Sequence, residues 1–226
     1  MLTKEIASVE KSAEQTGHFS LGFGFDLYRN KDALDILVVS YKSAFESAGM
    51  YVEAAIRIEG GARPDPEPAE PREIVPYIAS EMPAPAELTV WNVITVKPER
   101  TFWEKVLILH AMREMTEKRQ LNPNSQRPVP ELNRYSRHYY DVHRIWTHPD
   151  HGVSTASLRE LAEACRQHKE LMFRSPDHRY DRAVPGSYRL VPSEEMCTKL
   201  AADYKRMSAM IFGTQPSFDD VIPFTL

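Results

Sequence analysis

Seven prolines fall between residues 64 and 85, at positions 64, 66, 68, 71, 76, 83 and 85. Each fixes φ and removes a backbone donor, so this stretch excludes a long helix or a central strand. It reads as an extended connection with one short helical turn. The chain on either side of it has a different character, and the segment therefore organises the whole sequence.

Before the prolines the pattern is that of strands. Asp35-Ile36-Leu37-Val38-Val39-Ser40-Tyr41 is a compact β-branched run. Tyr51 to Glu59 ends in alternation, with Ile56 and Ile58 on one side and Arg57 and Glu59 on the other, which predicts a half-buried strand. About ten residues join the two runs, enough for antiparallel neighbours. The first fifteen or so residues read as a polar helix or a frayed start. After the prolines, Thr89 to Val96 reads as one more strand.

At Pro98 the period changes to that of helices. Thr101-Phe102-Trp103-Glu104 has capping-box spacing and opens a predicted helix over about 101–118, with Phe102, Val106 and Leu109 on one stripe and Trp103 and Leu107 beside it. A second helix is expected from near Ser136 to His148-Pro149. A third is expected over about 155–173, with Leu158, Leu161, Ala162 and Cys165 on one helical stripe. A last helix is expected from Ser193 to Phe212, capped by Ser193 and stopped by Gly213. The expectation is an α+β chain, with a β-rich region over 1–96 that includes the proline-rich connection, and a helical domain over 97–226.

Hydrophobic residues make up 42% and charged residues 27% of the 226 positions, ordinary for a globular domain. No apolar run is long enough to span a membrane and no signal sequence is expected, so the sequence reads as cytoplasmic. Cys165 and Cys197 indicate neither a disulfide framework nor a zinc site. The net charge of −4 does not announce a nucleic-acid binder. Arg113, Lys118, Arg119, Arg127, Arg134, Arg137 and Arg144 nonetheless cluster in sequence, either as a basic face or as a solvated charged surface. His138, His143, His148 and His151 lack helical i, i+4 spacing and do not read as a metal site.

Three segments carry a resemblance. They are Ile58-Glu59-Gly60-Gly61-Ala62-Arg63, then Lys97-Pro98-Glu99-Arg100-Thr101-Phe102-Trp103-Glu104-Lys105, then Arg137-His138-Tyr139-Tyr140-Asp141. With the tail from Tyr188 to Phe218, their order is similar to that of the AbiEii/AbiGii nucleotidyltransferase toxins. The resemblance implies a polymerase-β-like nucleotidyltransferase sheet, here partial, followed by a helical carboxy-terminal domain. It implies a toxin of an abortive-infection or toxin–antitoxin pair, with a cognate antitoxin as partner. It also implies transfer of a nucleotide from an NTP to an acceptor, which for some members is tRNA.

Such chemistry displaces pyrophosphate from an α-phosphate and uses Mg²⁺ held by carboxylates. The resemblance assigns Glu59 as a metal-binding carboxylate, Lys105 as the cation that neutralises triphosphate charge, and Asp141 as the group that orients Lys105 or the acceptor. Arg63, Arg137, His138 and Tyr139 are assigned to nucleotide or acceptor. Each has a plainer alternative. Glu59 also suits an exposed partner of Arg57 or Arg63, and Lys105 an exposed helix lysine. Arg137 and Asp141 also suit an i, i+4 ion pair, and Tyr139 and Tyr140 core aromatics. The chain lacks a Gly-Gly-Thr/Ser turn and an Asp-x-Asp pair, and Gly60-Gly61 leads into Pro64 and Pro66 rather than a helix. Those motifs are expected upstream of Met1, and a non-catalytic pseudoenzyme or interaction domain stands as the alternative function.

Overall fold

The structure is a computed structural model that describes residues 18–22, 25–29, 36–42, 54–59, 65–81, 85–122, 128–149, 158–211 and 213–222. The chain is α+β and divides into two compact units, Met1–Pro64 and Asp65–Leu226.

The first unit is an antiparallel sheet of β1 (His18–Gly22), β2 (Phe25–Arg29), β3 (Ile36–Tyr41) and β4 (Ala55–Glu59), paired in sequence order. β3 and β4 meet in the register Ile36↔Glu59, Leu37↔Ile58, Val38↔Arg57, the antiparallel pairing that their runs predict. β1 and β2 carry no expectation from the sequence. Val38 is buried in the centre of the sheet, whereas Ile56 and Ile58 are 55% and 53% exposed. β4 is therefore not half-buried as its alternation suggests: Ile56 to Glu59 are all exposed, so among the described residues neither face of the strand is covered. The helix expected at the start of the chain, together with Asp32, Asp35, Gly60, Gly61 and Arg63, lies outside the described residues.

The second unit begins inside the proline-rich segment. Ala69–Ile74 forms β5, which pairs antiparallel with β6 (Val90–Val96), and short 3-10 turns at Tyr77–Glu81 and Pro85–Leu88 lie between them. The segment is thus a strand where a connection was expected. A two-stranded ribbon consists entirely of edges, where the donor missing at Pro71 is tolerated. This hairpin belongs with the helices, so the units part at Pro64 rather than at 96/97. The ties are local: Lys97 N–H donates to Pro68 O at 2.9 Å, and Arg100 reaches back to Asp65 and Glu67.

The helices are α1 (Pro98–Gln120), α2 (Ser136–Thr147), α3 (Leu158–Met172), α4 (Glu194–Met207) and the short α5 (Phe218–Val221). α1 starts three residues before the expected capping box. Pro98 sits in its first turn with Lys97 as N-cap, and no side chain caps it; the fixed φ of proline suits that position and its absent N–H costs nothing there. Thr101 and Glu104 consequently lie inside the helix, where Glu104 pairs with Arg100 instead.

α1 is buried almost all round. Phe102, Val106, Leu107, Leu109 and Met112 are at most 1% exposed, each contributing about 1.5–3 kcal/mol of burial. α2 and α3 pack on α1, and α4 and α5 pack on α2, adding Tyr139, Val142, Cys165, Met196 and Leu200 to the core. Ser193 caps α4 as its spacing predicts, accepting from Met196 N–H. The helix ends earlier than expected, at Met207, and tightens into a 3-10 turn over Ser208–Met210. Gly213, at φ +80°, adopts the left-handed conformation beyond that turn. Among the described residues, no helix is long and apolar enough to cross a membrane.

Candidate functional site

Lys105 neighbours Val106 on α1 and emerges at the margin of the buried stripe. Its Nζ lies 3.1 Å from Asp141 Oδ2 and 3.3 Å from His138 Nδ1. Both partners come from α2, where a spacing of three residues puts them on one face. An ammonium has three donors, and these two contacts leave one for a ligand. The Lys105 side chain is 24% exposed and that of Asp141 is 36% exposed, so solvent and solutes reach the pair.

His138 is buried, and its ring meets Tyr135 edge-on with centroids 5.6 Å apart. Burial, reinforced by the charges of Lys105, Arg137 and Lys169, pushes its pKa down to about 3. The ring is therefore neutral at physiological pH, and Nδ1 is the acceptor for the Lys105 ammonium.

A second group of charges adjoins this one along α1. Arg100 is 1% exposed. It donates to Glu104 Oε1 at 3.1 Å, to Asp65 Oδ2 at 3.0 Å and to Glu67 O at 2.8 Å. Lys169 of α3 lies 3.9 Å from Glu104 Oε2 and 4.5 Å over the Phe173 ring, and burial lowers its pKa. Sequence reasoning missed both cations. The i, i+4 spacing of Arg100 and Glu104 was a usable signal for the first; nothing in the sequence links Lys169 to α1.

The remaining assignments divide. Glu59 lies in the other unit, at the exposed end of β4. Arg63 lies outside the described residues. Arg137 is half-buried and its Nε is buried without a hydrogen-bond partner, while Asp141 turns to Lys105 on the neighbouring helix. Tyr139 is 1% exposed and its hydroxyl donates to Leu190 O at 2.8 Å, so it is a core ring with no face open to a base. Three cations of the basic run are spent on internal partners. Arg113 pairs with Glu117, and Lys118 and Arg119 both pair with Asp177.

A family model described as nucleotidyl transferase AbiEii toxin of a type IV toxin–antitoxin system matches residues 7–222. No curated protein and no solved structure matches the chain. The match spans both units and takes in the Lys105, His138 and Asp141 cluster, and the chain belongs to the AbiEii nucleotidyl transferase toxin family.

Proposed function

We propose that this protein is the toxin of its pair and transfers a nucleotide from an NTP to an RNA acceptor, with tRNA the leading class. The observation that carries this reading is the accessible Lys105 ammonium, held by Asp141 at 3.1 Å and by a neutral His138 at 3.3 Å. A cation fixed in this way, with one donor free, suits a phosphate oxygen of the triphosphate, whose negative charge builds up on the pyrophosphate as it leaves. Asp141 sets the direction of the ammonium, and Arg137 adds positive charge one turn away on α2. Glu59 as a carboxylate ligand and Arg63 as a nucleotide contact rest on the family resemblance. NTP and RNA as substrates place the work in the cytoplasm, opposite a cognate antitoxin.

Nucleotidyl transfer of this kind uses a divalent metal, which supplies electrophilic activation of the phosphate and a clamp on its oxygens. The described residues do not fit that ion. Among them no group of three or more His, Cys, Asp or Glu side chains converges, and Asp141 is engaged by Lys105. Mg²⁺ prefers octahedral oxygen coordination with carboxylates as anchors, an arrangement that the described residues do not assemble.

The test is incubation of the purified protein, with any residues encoded in frame ahead of Met1 included, with each labelled NTP and total tRNA. Label transfer that is lost in Lys105→Ala and in Asp141→Asn supports the reading. Transfer that survives both substitutions, or none from the folded protein, overturns it. The second outcome favours a non-catalytic interaction domain, a reading supported by the exposed apolar side chains of the β5–β6 hairpin, among them Trp91 at 62% and Ile94 at 69%.

A further inference from the structure

α2 carries the cluster, yet no side chain caps it from its own N-terminal turn. The capping is supplied from α4, 67 residues further along the chain. Asp203, 1% exposed, accepts from Arg134 N–H through Oδ1 at 2.9 Å. Its Oδ2 accepts from Ser136 N–H at 3.1 Å and from the Ser136 hydroxyl at 2.5 Å. Arg206 Nη2 completes the grip, donating to Asp203 Oδ1 at 3.2 Å and to Asn133 Oδ1 at 3.1 Å. The turn held in this way includes Arg134 at φ +64°, a left-handed conformation that a residue with a Cβ enters only at a cost.

We propose that Asp203 is a positioning residue: by clamping the first turn of α2 it sets the rotation of that helix, and so brings His138 and Asp141 together onto Lys105. The argument is geometric. Ser136 and His138 share the first turn, and Asp141 lies one turn further. A helix advances 100° per residue, so a small rotation at Ser136 swings both side chains away from Lys105 at once. Tyr139, bonded to Leu190 O, holds the other side of the helix, which leaves the Asp203 clamp to fix its start. A buried carboxylate at a helix N-terminus also complements the peptide dipoles there. The functional value of this role rests on the reading of Lys105 as the phosphate-facing cation; the structural part does not.

The test compares wild type, Asp203→Asn and Ser136→Ala by amine labelling with acetic anhydride, read by mass spectrometry at individual lysines. Lys199 of α4, exposed and paired with Glu195 at 2.8 Å, is the internal control. In folded Asp203→Asn, checked by circular dichroism, Lys105 should label about two- to fivefold faster, the range expected on freeing an ion pair of this exposure. Lys199 should stay unchanged and Ser136→Ala should fall in between. Lys105 labelling at the wild-type rate in folded Asp203→Asn overturns the proposal, as does an equal rise at Lys105 and Lys199, which marks general loosening. ATP and GTP affinities of the same proteins separate the two readings. Faster Lys105 labelling with no nucleotide bound by wild type upholds the clamp and removes the nucleotidyltransferase reading. Faster labelling with a matching loss of affinity upholds both.

Discussion

Lys105 and Asp141 face each other across two helices at 3.1 Å, and both remain open to solvent. An ion pair so exposed contributes about 0–1 kcal/mol to stability, too little to explain its place beside a buried histidine. Its effect is expected in chemistry rather than folding. Lys105→Ala and Asp141→Asn should each shift unfolding free energy by less than about 1 kcal/mol while abolishing label transfer. Lys105→Arg should not rescue, because a planar guanidinium cannot occupy the position of a point ammonium between His138 and Asp141. Urea unfolding and transfer assays on the same preparations check both halves.

Arg100 behaves in the opposite way. Its guanidinium is buried and its partners Glu104 and Asp65 are 29% and 39% exposed, so removal strands carboxylates that water can still partly reach. Arg100→Met should cost roughly 1.5–3 kcal/mol, the range for lost hydrogen bonds to charged groups. The loss should fall first on the attachment of the β5–β6 hairpin, which Arg100 holds through Asp65 and Glu67 O. Amide exchange at Lys97, whose N–H donates to Pro68 O, should accelerate in the variant. Unchanged exchange there would show that the hairpin is held by something else.

The sequence was most informative where one period runs unbroken. The stripe Phe102, Val106, Leu109 is buried as its spacing predicts, and β3 and β4 pair as their β-branched runs suggest. It was least informative where a residue's partner is far along the chain. Glu104 has capping-box spacing from Thr101, but proline at the helix start and a buried Arg100 one turn earlier give it a different task. Pro71 sits in a strand because a two-stranded ribbon tolerates its missing donor. In the candidate site, the family strings offered Lys105, His138 and Asp141 as candidates and left Asp141 between Lys105, the acceptor and an Arg137 pair; the tertiary contact at 3.1 Å puts its carboxylate on Lys105. Asp203 has no local signature, because the turn it caps lies 67 residues away.

Tyr139 separates core from site. With its hydroxyl bonded to Leu190 O and its ring sealed, Tyr139→Phe should lower stability by about 1–3 kcal/mol through the carbonyl left unpaired. Nucleotide affinity and transfer, measured below the melting temperature, should stay within about twofold of wild type, since the ring makes no surface available for stacking. A tenfold loss of activity in a stably folded Tyr139→Phe protein would return this residue to the site.

Acid should destabilise the helical unit earlier than carboxylate titration alone explains. His138 has its pKa pushed down to about 3 from an ordinary 6.5, and burial lowers that of His110 as well. The carbonyl of Arg179 accepts from His110 Nε2–H at 3.1 Å, and Arg189 N–H donates to Nδ1 at 3.1 Å, an arrangement that requires the neutral ring. In the unfolded chain both rings take up protons below about 6.5. The unfolded state then binds more protons than the folded state, so stability rises with pH and falls as pH drops below 6.5, for His138 down to about 3, by at most about 1.4 kcal/mol per pH unit for each ring. The carboxylates whose pKa is lowered, such as Glu163 at about 2, add their own loss only once the pH falls below their unfolded value near 4.5. Between pH 6.5 and 5 the slope therefore belongs to the histidines. Around His138 the charges of Lys105, Arg137 and Lys169 oppose protonation, and Asp203 favours it. Urea unfolding of His138→Gln at pH 5.0, 5.5, 6.0 and 6.5 should show a shallower decline than wild type; parallel declines would mean that His138 is protonated in the folded protein within this range.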